Sequence, residues 1–136
     1  MADALVKQYM TEVPVTVRKD ESVALAYRLL QEKGFRHLPV VDGNQVCVGM
    51  ISDRDLRAIQ VTAEALIEGY EDRLAKIMVT DIMSEEVRNV SPDDTLQVAA
   101  SYMVDHGFNS LPVVENNELV GIITSTDLLK SIVSES

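Results

Sequence analysis

With 136 residues, 46% of them hydrophobic but only 4% aromatic and none Trp, the chain can build one aliphatic core of Val, Ile, Leu, Met and Ala, burying roughly two-thirds of its unfolded surface. A formal net charge of −10 argues against nucleic acid, whose affinity comes from phosphate neutralisation by Lys and Arg, and against an anionic membrane, while a small nucleotide needing a few local donors stays open. The single Cys47 allows no internal disulfide, the start Met1-Ala2-Asp3-Ala4 lacks the regions of a signal peptide, and no apolar run is long enough to cross a bilayer; the expectation is a soluble, cytoplasmic protein.

In chain order, Val13-Pro14-Val15-Thr16-Val17 reads as a short extended segment whose pairing Pro14 restricts. Ser22 is placed to cap a helix running to Lys33, with Val23, Ala26, Tyr27 and Leu30 at helical spacing and Gly34 as its stop. His37 to Val41 and Val46 to Ser52 are β-rich runs flanking the hairpin-turn chemistry of Asp42-Gly43-Asn44. Cys47 lies in the second run and reads as a small buried hydrophobe. A helix opens at Asp53, and Thr62 to Lys76 has the composition of a partly exposed connecting helix. Val87 to Val90 is extended, Thr95 to His106 helical with Gly107 as its stop, and Leu111 to Val114 a strand. Glu115 to Glu118 turns into a strand over Leu119 to Thr124, and a last helix covers Ser125 to Val133, with the tail from Ser131 expected to fray.

The order strand, helix, strand, strand, helix thus occurs twice, and so does the wording. Gly34-Phe35-Arg36-His37-Leu38-Pro39-Val40-Val41 returns 73 residues on as Gly107-Phe108-Asn109-Ser110-Leu111-Pro112-Val113-Val114. Gly49-Met50-Ile51-Ser52-Asp53-Arg54-Asp55-Leu56 returns 72 residues on as Gly121-Ile122-Ile123-Thr124-Ser125-Thr126-Asp127-Leu128, one residue having been lost in the turn. Two copies, each longer than a usual solenoid unit, imply a pair packed about a pseudo-twofold axis. The fold class is α/β, with a first unit over 1–61, a connecting helix over 62–76 and a second unit over 77–136. Either copy alone would be marginal; packing their apolar faces together supplies the missing burial and leaves clefts along the seam.

The phrase Gly, two aliphatics, Ser or Thr, two variable residues, Asp carries the chemistry. It sits where a strand ends and a helix begins, a place with free backbone N–H groups and the positive end of the helix dipole, suited to phosphate. Ser52 and Thr124 add hydroxyl donors, and Asp55 and Asp127, three residues on, face the same opening. A carboxylate there can accept from both hydroxyls of a ribose diol. Gly49 and Gly121 permit close approach of a ligand or an adjoining strand. The same spacing also makes a capping box that merely satisfies the helix start. Finding it twice, after the same strand, shifts the balance toward a ligand.

On these residues the chain resembles a tandem pair of cystathionine-β-synthase (CBS) domains, a Bateman module, from Val6 to Leu129. Leu-Pro-Val-Val at 38–41 and 111–114 and the two Gly-x-x-Ser/Thr-x-x-Asp phrases carry the likeness, and Met10-Thr11 and Asp81-Ile82-Met83-Ser84 resemble the segment leading into such domains. Gly34 to Val41, Ser52 to Arg57 and Lys76 to Met83 are similar to small bacterial proteins of the acetoin-utilisation type. Those usually carry a further C-terminal ligand-binding domain that this sequence does not include, so their functional label does not transfer.

The resemblance implies a non-catalytic regulatory module. AMP, ADP, ATP or a related adenosyl ligand would sit in two clefts between the copies, Asp on ribose and Ser or Thr on phosphate. Ser52 with Asp55 matches one site and Thr124 with Asp127 the other. Arg36, His37, Asn109 and Ser110 would line the clefts, with Thr16, Val17, Ile51, Asn89, Val90 and Ile123 flanking adenine. The first phrase is surrounded by Arg36, His37 and Arg54, the second by neutral Asn109, Ser110, Ser125 and Thr126. Charge-assisted bonds to phosphate are about twice as strong as neutral ones, so the first site is expected to favour a polyphosphate. No Cys/His/carboxylate cluster has metal-ligand spacing and no nucleophile pairs with a base. The implied partners are a second copy of the chain and an unidentified regulated protein, with ligand-driven population shift as the mechanism. The alternative is a ligand-independent dimerisation or protein-docking module, its Asp residues serving as caps.

Overall fold

In the computed structural model of this chain, residues 4–12, 15–57, 75–85 and 88–134 are described. Along them run β1 (Thr11–Glu12), β2 (Val17–Arg18), α1 (Val23–Lys33), β3 (His37–Val41), β4 (Cys47–Ser52), α2 (Leu96–His106), β5 (Ser110–Glu115), β6 (Glu118–Thr124) and α3 (Ser125–Ser134). Two 3-10 turns, Val6–Gln8 and Val79–Asp81, and a helical segment over 53–57 complete them. The expected connecting helix falls almost wholly outside the described residues, as do Val13, Pro14 and Val87.

By contact, the chain divides into a contiguous unit, Val15–Glu86, and a two-segment unit, Met1–Pro14 with Val87–Ser136. In the contiguous unit the sheet order is β2-β3-β4, with β2 parallel to β3 and β3 antiparallel to β4. Ser22 Oγ caps α1 by accepting from Leu25 N at 3.3 Å. Gly34, at φ 69°, ends it in the left-handed conformation that glycine adopts without strain. Val23, Ala26 and Leu30 form the buried stripe of α1 and pack with Val17, Leu38, Val40, Ile51 and Leu56. Pro39 sits opposite Met50, whose N–H instead reaches Ser84 O at 3.0 Å, so the proline removes no ladder bond there.

The two-segment unit repeats the plan. Thr95 caps α2 through Val98 N, Gly107 at φ 70° ends it, and β5 and β6 form the hairpin. Val90 bridges Val113 in parallel where β2 stands in the other unit, and Val90, Ala99, Met103, Leu111, Val113 and Ile123 form the core with Val6. The turns differ: Asp42 accepts from Asn44 N and Val46 N in one, whereas Asn116 and Asn117 both take positive φ in the other, and the shorter loop accounts for the lost residue. The helix α3 holds together through Ser134. Its Ser131 is buried and donates to Leu128 O at 2.6 Å, so the expected fraying from Ser131 is not seen.

The lead-in segments differ from the division drawn from the repeat. Residues 5–12 precede the first copy in sequence, yet Val6 is wholly buried in the core of the second, Val6 N donates to Asp94 O, and β1 pairs with β6. Correspondingly Val79 lies in the core of the contiguous unit, donates to Glu21 O, and Ser84 bridges Met50. Each body therefore takes the lead-in that belongs, by sequence order, to the other copy. The reason is an edge: β4 and β6 each offer an unpaired side, which the short lead-in strand covers. Gly49 and Gly121 make this possible. A Cβ at Gly121 would lie 2.5 Å from Thr11 O, and one at Gly49 would lie 2.9 Å from Ser84 O. Of the two roles open to these glycines, close approach of an adjoining strand is the one the structure displays.

Candidate functional site

At each strand-to-helix junction the Ser/Thr-x-x-Asp phrase folds into a reciprocal pair of hydrogen bonds. Ser52 N donates to Asp55 Oδ2 at 3.1 Å, and Asp55 N donates to Ser52 Oγ at 3.1 Å. Thr124 N donates to Asp127 Oδ2 at 2.9 Å, and Asp127 N donates to Thr124 Oγ1 at 3.1 Å. These are complete capping boxes, which satisfy donors at the helix start. Only one carboxylate oxygen is used in each. No buried side-chain oxygen or nitrogen among the described residues lacks a partner, so the second oxygen of each Asp reaches the surface even though Asp127 is only 8% exposed. A carboxylate has about four acceptor sites, so capping leaves capacity for a diol.

The neighbours are set by strand register. His37 stands opposite Ser52, and Ser110 opposite Thr124, close enough for side chains to meet. Asp53 N donates to Arg36 O and Ser125 N to Asn109 O, each at 2.9 Å, tying the residue before the hairpin to the helix start. Burial of the His37 ring lowers its pKa below the ordinary 6.5, outweighing the carboxylates of Asp53 and Asp55, which raise it; the Arg36 charge lowers it further. Of the other residues the sequence suggests for the site, Arg54, Asn89, Asn109 and Thr126 are exposed and Thr16 and Ser110 half-buried.

Val17, Ile51, Val90 and Ile123 lie in the cores: Ile51 and Ile123 are fully buried and Val17 and Val90 nearly so. They alternate with Thr16, Ser52, Asn89 and Thr124, and the inward half of that alternation is hydrophobic packing. Arg36, grouped with the first phrase by sequence, lines a hollow of about 360 Å³ that neither Ser52 nor Asp55 lines. The hollow takes its apolar surface from Leu30, Phe35 and Leu56, and Gln31, Asp53 and Arg57 also line it. Positions 53, 56 and 57 share one face of a helix, which turns them away from Asp55. The signal for this hollow was the stripe Tyr27, Leu30, Gln31, Gly34 at helical spacing, which a search for phosphate donors passes over. Cys47 is half-buried rather than buried, and desolvation raises its thiol pKa. Among the described residues there is no cluster of three or more metal-ligating side chains and no helix long and apolar enough to cross a membrane.

The repeated unit matches a known domain family. The CBS domain family pattern matches residues 6–61 and again 79–134. The chain is 34% identical over 94% of its length to a homoserine O-acetyltransferase of Methanosphaerula palustris, of which it spans about a quarter (24%). It superposes on the CBS domain pair of protein MJ0100, solved in complex with 5′-methylthioadenosine and S-adenosyl-L-methionine, with a TM-score of 0.81 at 26% identity, covering 99% of this chain and 100% of that one. The structure of CBSX2 in complex with AMP gives a TM-score of 0.77 at 30% identity, covering 97% and 98%; CBSX2 from Arabidopsis thaliana gives 0.82 at 28% identity, covering 98% and 97%. Two matches to one domain pattern, two units of the same α/β plan and full-length superposition on CBS pairs place this chain in the CBS domain family as a tandem pair.

Proposed function

We propose that the chain is a non-catalytic regulatory module that binds an adenosyl ligand, AMP, ADP, ATP or a sulfur-containing adenosine, at its two strand-to-helix junctions. The observation that carries this is the twin capping box, each with one carboxylate oxygen uncommitted at a helix start. Asp55 and Asp127 would accept from ribose hydroxyls, and Ser52, Thr124 and the junction N–H groups would face phosphate. In this reading Thr16, Asn89, Asn109 and Ser110, none of them buried, would line the sites beside them. With Arg36 in the hollow, the preference for a polyphosphate at the first junction rests on His37 and Arg54, against Ser110 and Thr126 at the second. AMP-bound and S-adenosylmethionine-bound CBS pairs of similar sequence support the ligand class.

Thermal-shift measurement with AMP, ATP, S-adenosylmethionine and methylthioadenosine tests this reading. At one hundred times Kd a ligand adds about 2.7 kcal/mol of stability; no shift with any of the four would favour a docking module whose Asp residues only cap. The bound ligand would act by population shift, stabilising the conformations that bind it best and so changing what a regulated protein meets. A homodimer also belongs to this reading, because aliphatic side chains stand exposed on α2 and α3. Light scattering at micromolar concentration checks it, with a monomer mass at all concentrations as the contrary result.

A further inference from the structure

Each lead-in lays a methionine over the glycine it approaches. Met10 and Met83 stand 73 residues apart, the spacing of the first repeated phrase. Met83 Sδ lies 2.6 Å, and its Cγ 3.0 Å, from where a Cβ on Gly49 would stand; Met10 Sδ and Cγ lie 3.1 and 3.4 Å from the corresponding point on Gly121. Each thioether thus fills the place of the missing side chain, and each packs against the core of its own unit. Both glycines are buried, whereas both methionines are half-buried and so partly open to solvent. Of the other described methionines, Met50 and Met103 are only 7% and 6% exposed. Met78 is half-buried and stands at the start of a 3-10 turn.

The backbone groups beside each sulfur are already paired. Met50 N donates to Ser84 O at 3.0 Å and Ser84 N to Met50 O at 2.9 Å, and Thr11 pairs with Ile122. An oxygen added to either Sδ is a strong acceptor pressed against glycine backbone, and it must either compete for those N–H groups or push the lead-in away.

We propose that Met10 and Met83 are paired oxidation sites, at which conversion to the sulfoxide releases the lead-in strand from β6 or β4. The oxidant is a hydroperoxide, with hydrogen peroxide the simplest. A lone pair on Sδ attacks one peroxide oxygen, the S–O bond forms as the O–O bond breaks, and the other oxygen leaves with both protons as water. Sulfur gives up two electrons and the peroxide takes them; a thiol-dependent sulfoxide reductase reverses the change. Ser52 and Thr124 lie three residues beyond the two glycines, so the strand ends that loosen are the ones carrying the capping boxes, with or without a ligand there.

Treatment of the folded full chain with hydrogen peroxide, followed by peptide mapping and urea unfolding, tests this. Sulfoxide should form at Met10 and Met83 well before Met50 and Met103. The folding equilibrium constant should then fall about tenfold or more, with faster amide exchange in β4 and β6. Met10→Leu with Met83→Leu, a change that conserves volume, should remove the sensitivity to peroxide, and Met78→Leu should not. Sulfoxide reductase should restore the urea midpoint of the oxidised wild-type chain, a readout that needs no variant. Three results would each overturn the proposal: Met50 and Met103 oxidising as readily as Met10 and Met83, a urea midpoint unmoved by sulfoxide at 10 and 83, or a leucine pair that loses as much stability to peroxide as wild type.

Discussion

The junction of the contiguous unit and that of the two-segment unit use the same hydrogen bonds at nearly the same distances, yet stand among different side chains. His37 and Arg54 accompany one; Ser110 and Thr126 accompany the other. The backbone frame and its cap are what both units must keep to fold. The residues beside the cap are free to diverge, and there the proposed difference in ligand preference resides. The helices show the same contrast on their outer face, with Gln31 and Arg57 against Val104 and Leu129.

The largest effects should come from the shared frame. A Cβ at Gly121 meets the Thr11 backbone carbonyl at 2.5 Å, whereas at Gly49 the nearest atom, at 2.6 Å, is the flexible Met83 Sδ. Gly121→Ala should therefore cost about 2–3 kcal/mol and Gly49→Ala about 1–2 kcal/mol in urea unfolding; equal costs would mean the two lead-in strands yield alike. Next, Val6→Ala should cost about 2 kcal/mol. Hydrogen exchange should show its protection loss in 90–134 and not in 15–57, because Val6 lies in the second copy's core. Loss confined to 15–57 would contradict the exchanged lead-ins. Ser52→Ala and Thr124→Ala should each cost about 1 kcal/mol, since each removes one half of an equivalent cap.

The smallest effect is the pH dependence that His37 brings. The folded pKa of His37 lies below 6.5, so as pH falls the unfolded chain takes up that proton first. Its contribution is complete above about pH 6.5 and is lost as pH falls from there toward the folded value. His37→Asn should flatten this part of the stability profile between pH 8 and pH 5, while Ser110→Asn, at the equivalent strand position, should leave it unchanged.

Much of this was legible in the sequence. The cap at Ser22, the stops at Gly34 and Gly107 and both hairpins follow from local chemistry, and the structure places them within a residue or two of the sequence reading. The lead-in exchange was not legible, because residues 5–11 and 78–84 follow the same pattern and local sequence cannot say which body each joins. The full burial of Ile51 and Ile123 was not read from the sequence for a related reason. In a strand buried beneath helices, side-chain alternation decides core against cleft, and adjacency to a motif does not.

Calorimetric titration of AMP into the wild-type chain and into Asp55→Asn, Asp127→Asn and the double variant tests the junctions most directly. Binding to wild type, weakened at least tenfold (about 1.4 kcal/mol) by one or both single changes and abolished in the double variant while urea stability falls little, is the predicted result. Affinity unchanged in the double variant, or no heat with AMP, ATP or S-adenosylmethionine, would show that the carboxylates only hold their helices in place.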